Sequence, residues 1–311
     1  MTILVVGKSG QVAQALAAAG RAVGVEVVTF GRPDLDLSQP RTVESAIARV
    51  RPTAVINAAA YTSVDGAESQ PETARAINAS GAGCLAELCA RVGIPLVHLS
   101  TDYVFDGRKS GAYSEHDRVA PLNVYGHTKL EGEILVSAAC RQHIIVRTSW
   151  VFSSHGLNFV KTMLQLARSR SHISVVDDQE GCPTYAPHLA AALLALVRDL
   201  LDTNADRVDP PWGIYHAAAQ GSTTWCGLAR EVFECAARNG GPRASVRPIN
   251  TGDFPTAAVR PRNSRLDCRR LSRLLGLRLP HWRTGVAACI AELAAQGHFG
   301  TEAGLAAEGF G

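Results

Sequence analysis

The sequence predicts an α/β fold, a doubly wound parallel sheet with a smaller C-terminal domain interleaved with it. Two observations predict the sheet. Segments 2–6, 25–30, 53–57, 95–100 and 143–147 are short, almost continuously apolar and rich in β-branched residues, and longer helical patterns at 11–21, 40–49, 71–92 and 124–140 separate them. Strands without polar alternation are buried on both faces, and helical connections let successive strands run parallel with helices over each face. The third observation is a change of texture after Trp150, where loops become richer in Pro, Gly and Arg.

Residues 1–150 form the expected sheet domain, 151–296 the mainly substrate-binding portion, and the Gly-rich 297–311 a frayed tail. In the second portion, helices are predicted at 158–168, 188–201, 224–238, 268–275 and 282–296, and strands at 172–176 and 213–217. Strands near 172–218 are expected to complete the main sheet. The polar stretch 177–188 and residues 202–211 read as loops.

At 311 residues and 46 % hydrophobic, the chain can bury a core large enough for this plan. A net charge of +3, spread along the chain, makes no case for nucleic acid or a membrane surface. No apolar run reaches transmembrane length, and the opening MTILVVG enters a strand without a secretion pattern. The eight cysteines form no CxxC pair and read as reduced, buried thiols of a cytoplasmic protein.

Gly7-Lys-Ser-Gly10-Gln11-Val12-Ala13 follows the first strand and opens the first helix. Gly7 permits the tight turn, Gly10 lets the backbone approach a pyrophosphate, and Ala13 lets helix pack on strand. Free N–H groups at the helix start then face the phosphates, the arrangement of a Rossmann-type nucleotide site. The second strand ends at Arg32, where an acid would bind a ribose diol. Arginine suits the 2′-phosphate of NADP, so NADPH is favoured, with NADH left open. Asp36 and Leu37 are placed beside the adenine. Ala59 and Ala60, before Tyr61 and Thr62, leave room for a flat cofactor at the third strand's end. No metal site is expected: Asp65 with Glu68 reads as a charged helix face, and His98 as a core histidine.

The fourth strand runs into Ser100-Thr101-Asp102-Tyr103, and Tyr125 and Lys129 follow on a helix. Their i to i+4 spacing stacks both on one face. A neighbouring ammonium is expected to lower the phenol's pKa, making Tyr125 the proton donor or acceptor, Lys129 its tuning group and ribose ligand, and Thr101 the group orienting a carbonyl. Joined to a nucleotide cradle, this trio predicts hydride transfer between a nicotinamide cofactor and a ketone or alcohol. Tyr103, with no lysine four residues on, reads as packing.

The ordered set GKSGQVA, NAAAYTSVDGAE, STDYVFDG, PLNVYGHTKLEGE, RTSWVF, NFVKTM, DDQEGCPT and RPRNSRLD resembles the dTDP-4-dehydrorhamnose reductase family of extended short-chain dehydrogenases over roughly residues 2–296. The resemblance implies reduction of the C4 ketone of dTDP-4-dehydro-β-L-rhamnose by NADPH or NADH. It assigns catalysis to Thr101, Tyr125 and Lys129, and cofactor contacts to Gly10, Gln11, Val12, Asp36, Leu37, Ala60, Tyr61 and Thr62. It implies substrate contacts from Val104, Phe105, Trp150 and Asn158, with the segment carrying Arg262 and Arg265 closing over the nucleotide. Some members bridge a dimer through Mg²⁺ on a first-helix glutamate. Ala15 stands there in this chain, so Mg²⁺ is not supported and a monomer or weak homodimer is expected. Two alternatives remain on the same fold: an epimerase or dehydratase that retains NAD, and a non-catalytic regulatory protein.

Overall fold

The computed structural model describes residues 1–203 and 211–299. Strands β1 (Thr2–Val6), β2 (Glu26–Phe30), β3 (Ala54–Asn57), β4 (Leu96–Thr101) and β5 (His143–Thr148) alternate with α1 (Gln11–Ala22), α2 (Pro40–Val50), α3 (Val64–Ser69), α4 (Pro71–Arg75), α5 (Gly81–Val92) and α6 (Val124–Ala139). Beyond them come β6 (Val151–Phe152), α7 (Phe159–Ala167), β7 (His172–Val176), β8 (Glu180–Gly181), β9 (Thr184–Tyr185), α8 (Ala186–Thr203) and β10 (Gly213–His216). The last elements are β11 (Thr223–Thr224), α9 (Trp225–Arg238), β12 (Ser245–Ile249), α10 (Arg269–Leu275) and α11 (Trp282–Ala295).

The main sheet has six parallel strands in the order β10-β5-β4-β3-β1-β2. The order reverses between β1 and β3, so the loops leaving those two strands diverge and open a crevice at their carboxyl ends. One core lies between the sheet, α1 and α8, and another covers the opposite face beneath α2 and α5. A third core, built from α7, α9, α11 and β7 around Trp282, belongs to the C-terminal lobe. All eight cysteines are free thiols, six of them buried. Among the described residues, no helix is long and apolar enough to cross a membrane.

Several features differ from the sequence expectation. The helix expected over 71–92 is interrupted by a π turn at Ala76–Ser80, where Asn78 turns inward to bond both backbone groups of Tyr61 and the Thr128 hydroxyl. Helix α3 is too short to show an apolar stripe. The strand at 172–176 does not join the main sheet; it pairs in parallel with β12, which Pro248 and Arg247 disguise as loop. Among the described residues, β10 alone of the later strands reaches the main sheet, and the polar stretch 177–188 contains β8, β9 and the start of α8. Of the loop expected at 202–211, residues 202–203 continue α8 and 204–210 lie outside the described residues; of the tail, 300–311 lie outside them.

Helix α6 sits unusually close to its neighbours. A methyl group at Gly126 would overlap Tyr103 O, and one at Gly132 would overlap Asn78 O. Beside them, Arg147 of β5 donates from Nε to Glu133 Oε1 at 2.9 Å and from Nη2 to Oε2 at 2.6 Å, and Ser100 Oγ donates to Glu133 Oε1 at 2.5 Å. Backbone, rather than a flexible side chain, meets the added carbon at Gly132. Gly132→Ala is therefore expected to lower unfolding stability by about 1–3 kcal/mol, measured by urea denaturation; an unchanged midpoint would refute the close approach.

Candidate active site

A cleft of about 780 Å³ lies over the carboxyl ends of β1, β3, β4 and β5, between the sheet and the C-terminal lobe. Gly7 and Gly10 line its nucleotide end together with Gln11, Val12, Arg32, Asp36, Leu37, Ala59, Ala60 and Thr62. Gly7 has φ +123°, and its N–H donates to Phe30 O at 2.7 Å, which folds the loop tightly against β2. Gly10 is the N-cap of α1, provides no side-chain cap, and would carry a Cβ into open space. No acid stands in the first turn of α1, so its N–H groups and dipole present positive potential to the cleft. This loop fits the diphosphate of a dinucleotide. Arg32 is exposed at the rim. The Asp36 carboxylate accepts from Ser38 N and Oγ at 2.9 and 2.7 Å, capping its own turn.

Thr101, Tyr125 and Lys129 converge at the other end of the cleft. The β4–β5 register pairs Thr101 with Thr148, and Thr101 Oγ1 accepts from Tyr103 N at 3.1 Å while donating to Asp102 Oδ1 at 3.0 Å. Asn123 caps α6 by accepting from Gly126 N at 2.8 Å, which sets Tyr125 in the first turn. The Tyr125 hydroxyl lies beside Thr101. Burial pushes this phenol up to about 12, with the Thr101 hydroxyl opposing and the Asp102 charge reinforcing the shift. This corrects the expected depression by Lys129, because Lys129 Nζ turns away to donate to Leu99 O at 2.7 Å. Burial instead lowers the Lys129 amine to about 8, against the pull of Glu133.

The substrate end is only partly as expected. Trp150 and Asn158 line the cleft. Trp150 adopts a left-handed backbone, φ +48°, and its indole stacks on Trp225 with ring centroids 3.5 Å apart and 2° between planes. Gly181 makes room for that ring, since a methyl there would overlap the indole. Asn158 caps α7 and donates to Gln11 Oε1 at 3.0 Å, so its amide joins the glycine loop to the C-terminal lobe.

Val104 and Phe105 do not line the cleft: a 3₁₀ turn at Asp102–Val104 sends both into a satellite core, where Phe105 stacks on Tyr113. Arg262 is exposed away from the cleft, and Arg265 is held by Asn263 Oδ1, Ser110 O and Glu180, so this segment braces loops instead of lining the cleft. Tyr61 also stands outside, its backbone pinned by Asn78. Asp65 bonds Arg260 Nη2 at 2.6 Å and Glu68 accepts from Val124 N at 2.9 Å, both structural roles. Trp225 was missed: a tryptophan at a helix start looks like core.

A family model described as the RmlD substrate binding domain matches residues 1–295. The chain is 45 % identical to the dTDP-4-dehydrorhamnose reductase of Sinorhizobium fredii, covering 91 % of this chain and 94 % of that one. The chain belongs to the dTDP-4-dehydrorhamnose reductase family. The Escherichia coli K12 reductase is 42 % identical over 94 % of this chain and 98 % of its own. Among solved structures, the reductase of Bacillus anthracis in complex with NADP matches with a TM-score of 0.85 at 35 % identity, over 94 % of this chain and 100 % of that one. A UDP-glucose 4-epimerase of Thermotoga maritima, 17 % identical with a TM-score of 0.77 over 95 % of this chain and 99 % of that one, shares the fold. In this family member, Ala15 is buried in the first core, which α1 shares with α8, and has no side-chain oxygen.

Asp102 lies directly behind Thr101, 2 % exposed, and burial raises its carboxyl to about 7, with the Ser264 and Thr101 hydroxyls partly offsetting. A carboxyl raised on folding contributes most stability below its unfolded pKa and loses it as pH rises through the folded value. Asp102→Asn does not titrate. Its stability relative to the parent is expected to improve by about 1–3 kcal/mol between pH 5 and pH 8, measured by urea titration at both; a pH-independent difference would contradict the raised carboxyl.

Proposed function

We propose that this protein reduces the C4 ketone of dTDP-4-dehydro-β-L-rhamnose to dTDP-L-rhamnose with NADPH, NADH serving less well. The observation that carries the proposal is the meeting of Thr101, Tyr125 and Lys129 at one end of the cleft whose other end is the Gly7–Gly10 cradle. Full-length similarity to reductases of this name supports the substrate. A bound nicotinamide cofactor supplies the hydride.

Gly7, Gly10 and the start of α1 would hold its diphosphate, and Arg32 would recognise the 2′-phosphate. Thr101 orients the ketone oxygen and Tyr125 protonates it from its hydroxyl. Reduction requires the phenol form, and a pKa raised by burial keeps Tyr125 protonated at neutral pH. Lys129 holds the ribose and restores the proton on Tyr125. The stacked Trp150 and Trp225 offer an aromatic wall to the substrate. The reading makes the protein cytoplasmic, with a small sugar nucleotide as its partner and no Mg²⁺ requirement at Ala15.

The test supplies dTDP-4-dehydro-L-rhamnose and follows NADPH absorbance, with and without EDTA. Tyr125→Phe is expected to lower kcat by about 10²–10⁴-fold at nearly unchanged KM for NADPH. NADPH oxidation no faster than in the Tyr125→Phe control would end the proposal, and retained NAD without net consumption would indicate an epimerase. Separately, Arg32→Ala is expected to raise KM for NADPH roughly tenfold, about 1.4 kcal/mol, while KM for NADH moves little; equal changes for both would remove Arg32 from phosphate recognition.

A further inference from the structure

His98 lies beneath the cleft, in a buried chain of polar groups that ends on Lys129, and the reaction described above gives the histidine no part. Lys129 Nζ stands 3.3 Å from His98 Nε2, and His98 Nδ1 stands 3.0 Å from Asn57 Nδ2. β3 and β4 hold Asn57 and His98 in direct register. Alternation along β4 turns His98 and Ser100 toward α6, where they meet Lys129 and Glu133. Asn57 and His98 are 1 % exposed and Lys129 2 %, so solvent cannot correct a misplaced proton.

The proton positions are fixed from one end of the chain. The Ala59 N–H is a donor in every protonation state, and it points at Asn57 Oδ1 at 3.1 Å. The amide nitrogen therefore faces the imidazole and donates to Nδ1. The single proton of the neutral ring then sits on Nε2, facing Nζ. An ammonium at Lys129 would set N–H against N–H. A neutral amine accepts Nε2–H with its lone pair and still donates to Leu99 O.

We infer that His98 is a positioning residue for Lys129: its Nε2–H donates to Nζ, holding the amine in place and favouring its uncharged form. Burial acts in the same sense on both groups. It lowers Lys129 to about 8 and carries His98 well below the usual histidine range, where the charges of Lys129 and His143 push it further. Glu133, one turn along α6, opposes the shift of Lys129, and its charge is shared with Arg147 of β5. Tyr125 stands one turn before. The inference rests on the proposed role of Lys129 for its meaning: an amine that changes charge near neutral pH can pass a proton in either direction there, which an ordinary lysine cannot.

Two NMR measurements on the full chain without substrate test it. The ring ¹⁵N shifts of His98, one of ten histidines and assigned by its loss in His98→Leu, are expected to report the Nε2–H tautomer. The ε-¹³C signal of Lys129, one of four lysines and assigned in Lys129→Met, is expected to titrate below the ordinary lysine range and to rise by about one pH unit in His98→Leu. An Nδ1–H tautomer overturns the inference, and so does an unmoved Lys129 midpoint in a folded His98→Leu protein. If His98→Leu fails to fold, the tautomer in the parent decides, with His98 assigned through its backbone. Neither reading depends on turnover, so their failure is separate from failure of the reductase assay.

Discussion

The site depends on one buried ion pair, Glu133 of α6 with Arg147 of β5, each side chain 3 % exposed. Such a pair gives little net stability after desolvation, but loss of either partner strands a buried charge and costs about 3–5 kcal/mol. What it provides here is registry. Tyr125, Lys129 and Glu133 follow one another at four-residue steps along the same line of α6, so fixing the last fixes the reach of the other two. Gly126 and Gly132 remove the side chains that would hold the helix away from the Tyr103 and Asn78 carbonyls. The helix bearing the chemistry is thus set against the sheet by the charge of Glu133 and by the absent side chains of Gly126 and Gly132.

The nucleotide end is placed by topology. Because the strand order reverses between β1 and β3, two loops part there, and one of them carries the glycines into the start of α1. Gln11 then reaches across to the C-terminal lobe. It accepts from Ser153 Oγ and Asn158 Nδ2, both at 3.0 Å, so the turn before α7 and the phosphate loop are fastened to each other. Sheet and C-terminal lobe meet over the cleft through these bonds, while β10 returns the chain to the main sheet between the helices of the smaller lobe.

The main strands and helices were legible because burial on both faces leaves an unmistakable apolar signature, and the Tyr125–Lys129 pair because helical spacing is a short-range property. What escaped depends on distant partners. Val104 and Phe105 adjoin Thr101 in sequence, but the direction of a side chain after a 3₁₀ turn is decided by the core that receives it. Arg262 and Arg265 have the chemistry to bind a diphosphate, yet Arg265 is consumed by its neighbour Asn263 and by Ser110 and Glu180, which the sequence places far from it. His98 reads as a core histidine from its strand; only the register with Asn57 and the descent of Lys129 give its two nitrogens distinct partners.

The stacked tryptophans also make the cleft visible to light. Two indoles held face to face at 3.5 Å and 2° act as coupled transition dipoles, and such a pair gives a split circular-dichroism band whose sign and size follow the angle between the two dipoles viewed along the line joining the rings. Trp150 hangs from the end of β5 and Trp225 from the start of α9, so the angle reports how the sheet and the C-terminal lobe face each other. The chain's other two tryptophans, Trp212 and Trp282, do not line the cleft. A ligand that slides against the outer ring, or that draws the lobes together, writes its arrival into the spectrum of the unlabelled protein.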